Sequence, residues 1–206
     1  MAQKITGLYR AITVPWFYKG FQFALGADKF LRRFADEILQ IKRGMTVLDV
    51  GCGPANILPY LPDIDYTGVD LNERHIAFAR ERHGQRGRFF VADAATGLHG
   101  ARRTFDVIKM TGVLHHLSDD ECRCLIRSVT PLLKSTGRFV TIDNVWLPKQ
   151  RIVPRLMNKA DSGNNVRTPE GYLALLSGLP LRVESRTFHD LLRIPYDHFV
   201  MTARPE

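Results

Sequence analysis

Val47-Leu48-Asp49-Val50-Gly51-Cys52-Gly53-Pro54-Ala55-Asn56 is the stretch on which the fold of this chain turns. The apolar run Thr46–Val50 reads as a buried strand, and it leads into a Gly-x-Gly turn. Glycine there lets the backbone approach a ligand closely, and a helix opening after the turn would aim its free N–H groups at that ligand. Nineteen residues beyond Gly51, Asp70 closes a second strand-like run, Tyr66-Thr67-Gly68-Val69-Asp70-Leu71. A carboxylate at that point takes both hydroxyls of a ribose. Two details narrow the ligand. Asn56 stands where the dinucleotide fingerprint has its third glycine, and Asp49 lies two residues before Gly51. A carboxylate so near the turn repels a pyrophosphate but suits a ligand with an ammonium and a sulfonium, as S-adenosylmethionine (SAM) has.

Outward from this turn, helices and strands alternate. Upstream, Asp28 is placed to cap a helix whose apolar residues Phe30, Leu31, Phe34, Ile38, Leu39 and Ile41 recur at three- and four-residue spacing, with Gly44 beyond its end. Downstream come a helix over 72–83 and strands over 88–93 and 105–110. The Ser118-Asp119-Asp120-Glu121 capping box opens a helix expected to reach Lys134, and a strand follows over 137–143. Residues 146–168 are polar and basic and read as a loop without structure of its own. Thr168-Pro169-Glu170 then starts a last helix, and strands over 181–188 and 199–203 are expected to pair antiparallel. The pattern predicts an α/β fold: a Rossmann-like doubly wound sheet, mostly parallel with an antiparallel C-terminal strand pair, and helices on both faces. One domain spans 1–206, with an N-terminal helical lid over 1–43, a cofactor-binding core over 44–145, and a substrate loop with terminal strands over 146–206.

Asp49-Val-Gly51-Cys-Gly53, Asp70, Asp93 in Val91-Ala92-Asp93-Ala94, and Gly112-Val113-Leu114-His115-His116-Leu117 resemble, in order and spacing, the motifs of class I SAM-dependent methyltransferases. The resemblance covers about half of the chain, and its ends look like those of small bacterial enzymes acting on metabolites. It implies that the turn Gly51, Cys52, Gly53, with Asn56 after it, holds the methionine portion of SAM. It implies Asp70 at the ribose with Leu71 against the adenine, and Asp93 at the adenine amino group with Ala94 beside it. The backbone at Met110 and Thr111 would face the SAM amino group. S-adenosylhomocysteine would be the product.

Methyl transfer needs alignment of a nucleophile with the methyl group, and a base only where that nucleophile carries a proton of high pKa. His115 and His116 follow the fourth strand, at the carboxyl edge where open α/β sheets bind ligands, and either suits that role. Lys109-Met110-Thr111-Gly112 stands where enzymes methylating exocyclic base amines carry an Asn/Asp-Pro-Pro-aromatic signature, which counts against base N-methylation. No metal site is expected. Cys122 and Cys124 point about 200° apart on a helix, and Asp119 and Asp120 suit its N-terminus. Cys52 reads as a small packing side chain.

The net charge of +8 sits in the two ends: 8 Lys+Arg against 3 Asp+Glu over 1–43, 12 against 12 over 44–145, and 9 against 6 over 146–206. Such a surface attracts anions, from small acids to anionic lipid. Tyr9, Trp16, Phe17, Tyr18, Phe21 and Phe23 interleave with Arg10 and Lys19. This segment suits an aromatic lid, with Tyr9 and Gln22 reaching the cofactor and Tyr18 the substrate, or an interfacial segment in peripheral contact with a membrane. Arg155 and Arg167 flank the Asp161-Ser162-Gly163-Asn164-Asn165 turn, where they suit a carboxylate or phosphate of the substrate. The composition, with 45% apolar and 24% charged residues, excludes disordered and collagen-like classes. Three cysteines without framework spacing, and no secretory leader or membrane-length apolar run, point to the cytoplasm. The expected activity is methyl transfer to a small-molecule acceptor, anionic or lipid-like. RNA methylation and a non-catalytic SAM-binding scaffold are the alternatives, separable by salt-dependent RNA binding and by SAM binding without transfer. Nucleic acid is disfavoured because no RNA-binding module is visible, and the oligomeric state is open.

Overall fold

The computed structural model describes residues 26–96, 104–161 and 163–206. Seven strands form one sheet in the order β3-β2-β1-β4-β5-β7-β6. They are β1 Thr46–Val50, β2 Asp65–Asp70, β3 Gly87–Val91, β4 Phe105–Thr111, β5 Leu133–Asn144, β6 Leu181–Phe188 and β7 His198–Pro205. The first five pair in parallel, and β7 lies antiparallel to both β5 and β6. This is the Rossmann-like sheet with the antiparallel C-terminal pair that the alternation predicts. The helices are α1 Ala27–Arg33, α2 Glu73–His83, α3 Asp119–Val129, α4 Ile152–Ala160 and α5 Pro169–Ala174. Among the described residues no helix is long and apolar enough to cross a membrane.

The period of two along each strand divides the core. Leu48 and Val50 of β1, with Ile108 and Met110 of β4, pack with Leu125, Ile126 and Tyr172 on one face. Val47, Tyr66 and Val107 pack with Phe34, Leu39 and Ile76 on the other. Strands covered on both faces are apolar almost throughout, which is why the central runs show little alternation in sequence.

Four local expectations are corrected. Asp28 does not cap α1; Gly26 does, at φ 79°, while Asp28 binds Arg32 at 2.9 Å and accepts from Tyr60 at 2.6 Å. α3 keeps its capping box but stops at Val129, because Pro131 cannot donate to a further helical turn. No α-helix follows the Gly-x-Gly turn, only a 3-10 turn over Leu58–Tyr60. Residues 146–168 are not structureless: they contain α4, in which Pro154 occupies an early position that needs no N–H bond.

Candidate active site

Gly51 and Gly53 lie at φ 69° and 53°, in the left-handed region. The N–H groups of Gly51 and Cys52 both donate to the Val69 carbonyl, at 2.8 and 3.0 Å, so the turn leaving β1 is tied to the end of β2. Gly53 N–H donates to Asp70 Oδ2 at 2.8 Å, and Asn72 N–H to Asp70 Oδ1 at 2.8 Å. Burial opposes ionisation of Asp70, but His75 and these two N–H groups outweigh it and hold its carboxyl below the usual range. Leu71, next along, is 71% exposed and offers a bare apolar surface beside that carboxylate. A Cβ at Gly53 would meet open space, whereas one at Gly51 would stand 2.5 Å from Val113 Cγ2. Gly51→Ala is therefore expected to cost about 1–2 kcal/mol in urea unfolding from the left-handed backbone alone, with the Val113 collision added.

Beneath this turn lies a buried charge pair. Register sets Asp49 of β1 directly beside Lys109 of β4. Lys109 Nζ donates to Asp49 Oδ1 at 2.7 Å and to Thr111 Oγ1 at 3.1 Å, and Tyr66 donates to Asp49 Oδ2. Both charged groups are buried, and the Phe34 ring lies 5.9 Å from the ammonium. Asp49 thus does not present a free carboxylate to the turn, as its position in sequence suggests; its charge is already answered from the neighbouring strand. Burial, then the Asp49 charge, pushes the Cys52 thiol far above its ordinary value, so it stays protonated and packs as a small side chain.

At the carboxyl edge between β4 and β5, His115 is held between two carboxylates. Its Nδ1 is 2.7 Å from Asp143 Oδ1, and its Nε2 is 3.4 Å from Asp161 Oδ1. Its backbone N–H also donates to Asp143 Oδ1, at 3.2 Å. A Cβ at Gly163 would stand 2.2 Å from His115 Cδ2, so this close approach of the 161–167 segment needs glycine. Asp143 Oδ2 is buried and lacks a hydrogen-bond partner among the described residues. His116 presents an exposed edge, and its ring lies tilted by 41° against that of His115 with centroids 4.1 Å apart; desolvation of the inner part of the ring and then the neighbouring imidazole lower its pKa.

Residues 47–137 match the family model described as a methyltransferase domain. The fold superposes on a TehB-like SAM-dependent methyltransferase from Corynebacterium glutamicum with a TM-score of 0.69 at 19% identity, covering 97% of this chain and all of that one. Residues 47–137 of this chain are thus a methyltransferase domain on a Rossmann-like fold. Phosphoethanolamine N-methyltransferase 1 of Triticum aestivum is 34% identical over 146 residues, which are 68% of this chain and 28% of the plant protein. YcgJ, an uncharacterized methyltransferase of Bacillus subtilis strain 168, is 30% identical over 129 residues, 60% of this chain and 48% of that protein. The chain thus spans less than a third of the plant relative and about half of the bacterial one.

The remaining sequence candidates differ in what they touch. Asp93 is exposed and accepts from Ala95 N–H at 2.9 Å, ordering the turn after β3 with Ala94 buried beneath it. Met110 is buried and Thr111 half-buried at the end of β4, and Asn56 is half-buried past the glycine turn. Tyr9, Tyr18 and Gln22 lie outside the described residues. Arg155 is exposed on α4. Arg167 is a correction: it binds Asp119 at 2.7 Å and donates to the carbonyls of Leu114, Asn165 and Leu117 at 2.7–2.9 Å. Its guanidinium is spent on fastening the 163–167 segment to the turn after β4 and is not free to clamp a substrate. Sequence reasoning missed Lys109, Asp143 and Asp161. The first left a trace, as a lone charge between Ile108 and Met110 in an apolar run, and Asp143 ends the apolar run of β5.

Proposed function

We propose that this protein transfers a methyl group from SAM to a small-molecule acceptor bound at the carboxyl edge of β4 and β5, with His115 as the base. When bound, SAM supplies an electrophilic methyl carbon on a sulfonium, open to in-line attack. The observation that carries the reading is the Gly51–Gly53 turn joined through its own N–H groups to Asp70 and Val69. Those residues fit SAM: a glycine backbone with open space for the methionine portion, a carboxylate for the ribose, and Leu71 with Asp93 and Ala94 for the adenine. The unpaired Asp143 Oδ2, near the end of β4, suits an ammonium or a hydroxyl donor. The backbone at Met110 and Thr111 would meet the SAM amino group, with Tyr9 and Gln22 as further candidates for the cofactor.

His115 does the proton work in this reading. Asp143, accepting from Nδ1–H, selects the tautomer that leaves a lone pair on Nε2. Nε2 would hold the proton given up by the acceptor, with Asp161 3.4 Å away to balance the imidazolium charge, while the methyl group exchanges its bond to sulfur, which keeps the electron pair, for one to the acceptor. His116 packs its tilted ring against that of His115. The acceptor is anionic or lipid-like, in keeping with the basic ends of the chain.

Calorimetric titration with SAM, S-adenosylhomocysteine and NAD tests the cofactor. Micromolar binding of the two adenosyl compounds without NAD is expected. Asp70→Ala removes charge-assisted bonds to the ribose and should weaken SAM binding roughly 10- to 100-fold, the range set by about 1.5–3 kcal/mol. A folded protein that binds neither compound, or an Asp70→Ala variant of unchanged affinity, refutes the assignment.

A further inference from the structure

Helix α4 is oriented opposite to an ordinary surface helix. At 100° per residue, Pro154 and Asn158 share the face turned inward, and both are buried. Asn158 fastens that face by polar bonds, donating to the Val145 carbonyl at 2.8 Å and accepting from Asn144 Nδ2 at 3.1 Å. The aliphatic residues point away from the protein: Ile152 is 76% exposed, Leu156 58% and Val153 45%. Amphipathic helices of globular proteins turn this arc toward the core. Beside it Arg151, Arg155 and Lys159 stand at four-residue spacing, all exposed, and the helix has no acidic residue.

The surroundings carry the same chemistry. Arg151 donates to the His189 carbonyl at 3.2 Å, while Lys29 and Arg33 of α1 donate to the Asp190 carbonyl at 3.2 and 3.0 Å. One loop therefore anchors both the start of α4 and the helix before which residues 1–25 stand in the chain.

We propose that α4 docks on an anionic lipid bilayer, its aliphatic arc entering the headgroup boundary and Arg155 and Lys159 meeting lipid phosphates. A bilayer satisfies both halves of the surface at once. A second copy of this chain would bring a like-charged ridge against the first, and a nucleic acid would leave the aliphatic arc uncovered. The proposal rests on the reading above only in its choice of a lipid-like acceptor, which docking would place within reach.

Flotation of the full chain with phosphatidylglycerol-containing vesicles, against pure phosphatidylcholine, tests it. Binding to the anionic vesicles alone is expected. I152S/L156S should cut binding tenfold or more. R155E/K159E should weaken it by about fivefold for each charge removed. I152S/L156S should keep the wild-type melting temperature and SAM affinity. Failure to float, or undiminished flotation of I152S/L156S, overturns the proposal. So does a lower melting temperature or a dimer-to-monomer change in I152S/L156S, since either means that the arc is already covered by protein. Loss of SAM binding by the wild-type chain would refute the cofactor reading and leave this one standing.

Discussion

Lys109→Met is expected to cost the folded chain about 3–5 kcal/mol, because it strands the buried Asp49 carboxylate with Tyr66 as its remaining partner. For a chain of this size that is a fall of roughly 10 °C in melting temperature. The attraction within the pair is not what sets this figure. Taking two charges out of water costs nearly as much as their mutual attraction returns, so the pair adds little net stability, whereas one partner left alone carries the full desolvation cost. The double variant Lys109→Met/Asp49→Leu should accordingly recover most of the loss. Thermal melts of the two variants decide the matter. A single-variant loss below about 1 kcal/mol would mean that water reaches Asp49 once Lys109 is gone.

Acid should destabilise the protein well above the carboxylate range, through His198. This histidine at the start of β7 is buried, its ring 5.5 Å from that of Phe30 and 4.9 Å from that of Tyr196. Burial pushes its pKa down from 6.5 to about 4, with the Asp197 charge opposing in part. The folded pKa is below the unfolded one, so between these values the unfolded chain binds more protons and stability rises with pH. The contribution is whole above pH 6.5 and shrinks as pH falls. It has fallen by about 3 kcal/mol at pH 4, from 1.36 kcal/mol per unit. His198→Phe keeps a ring in contact with Phe30 and Tyr196 and removes the titration. Its urea stability should vary less than that of the wild type between pH 6.5 and 4. Parallel profiles for the two proteins would show that other groups set the acid limb.

The glycine turn and the strand ends beside it were legible because they are written locally. Gly51 and Gly53 need their residue type for their own backbone angles, and Asp70 stands at a strand end that the apolar pattern marks. The antiparallel pair followed from the short connection between β6 and β7. Local chemistry also misled where tertiary contacts compete for the same groups. Arg167 looked available until its nitrogens were seen to be taken by Asp119 and three carbonyls. α4 was hidden because a helix that shows its aliphatic arc to solvent, with a proline in its first turn, lacks the usual pattern of start and burial.

By itself, then, the sequence determined the alternation of strands and helices, the glycine turn and the resemblance to methyltransferases. Tertiary structure alone decided that Asp49 faces Lys109, sixty residues away, and that His115 sits between Asp143 and Asp161. Periodicity reports which face of a strand a side chain takes. Its partner across the sheet depends on which strands are neighbours and in what register, and that is settled only when the whole sheet closes on its two cores.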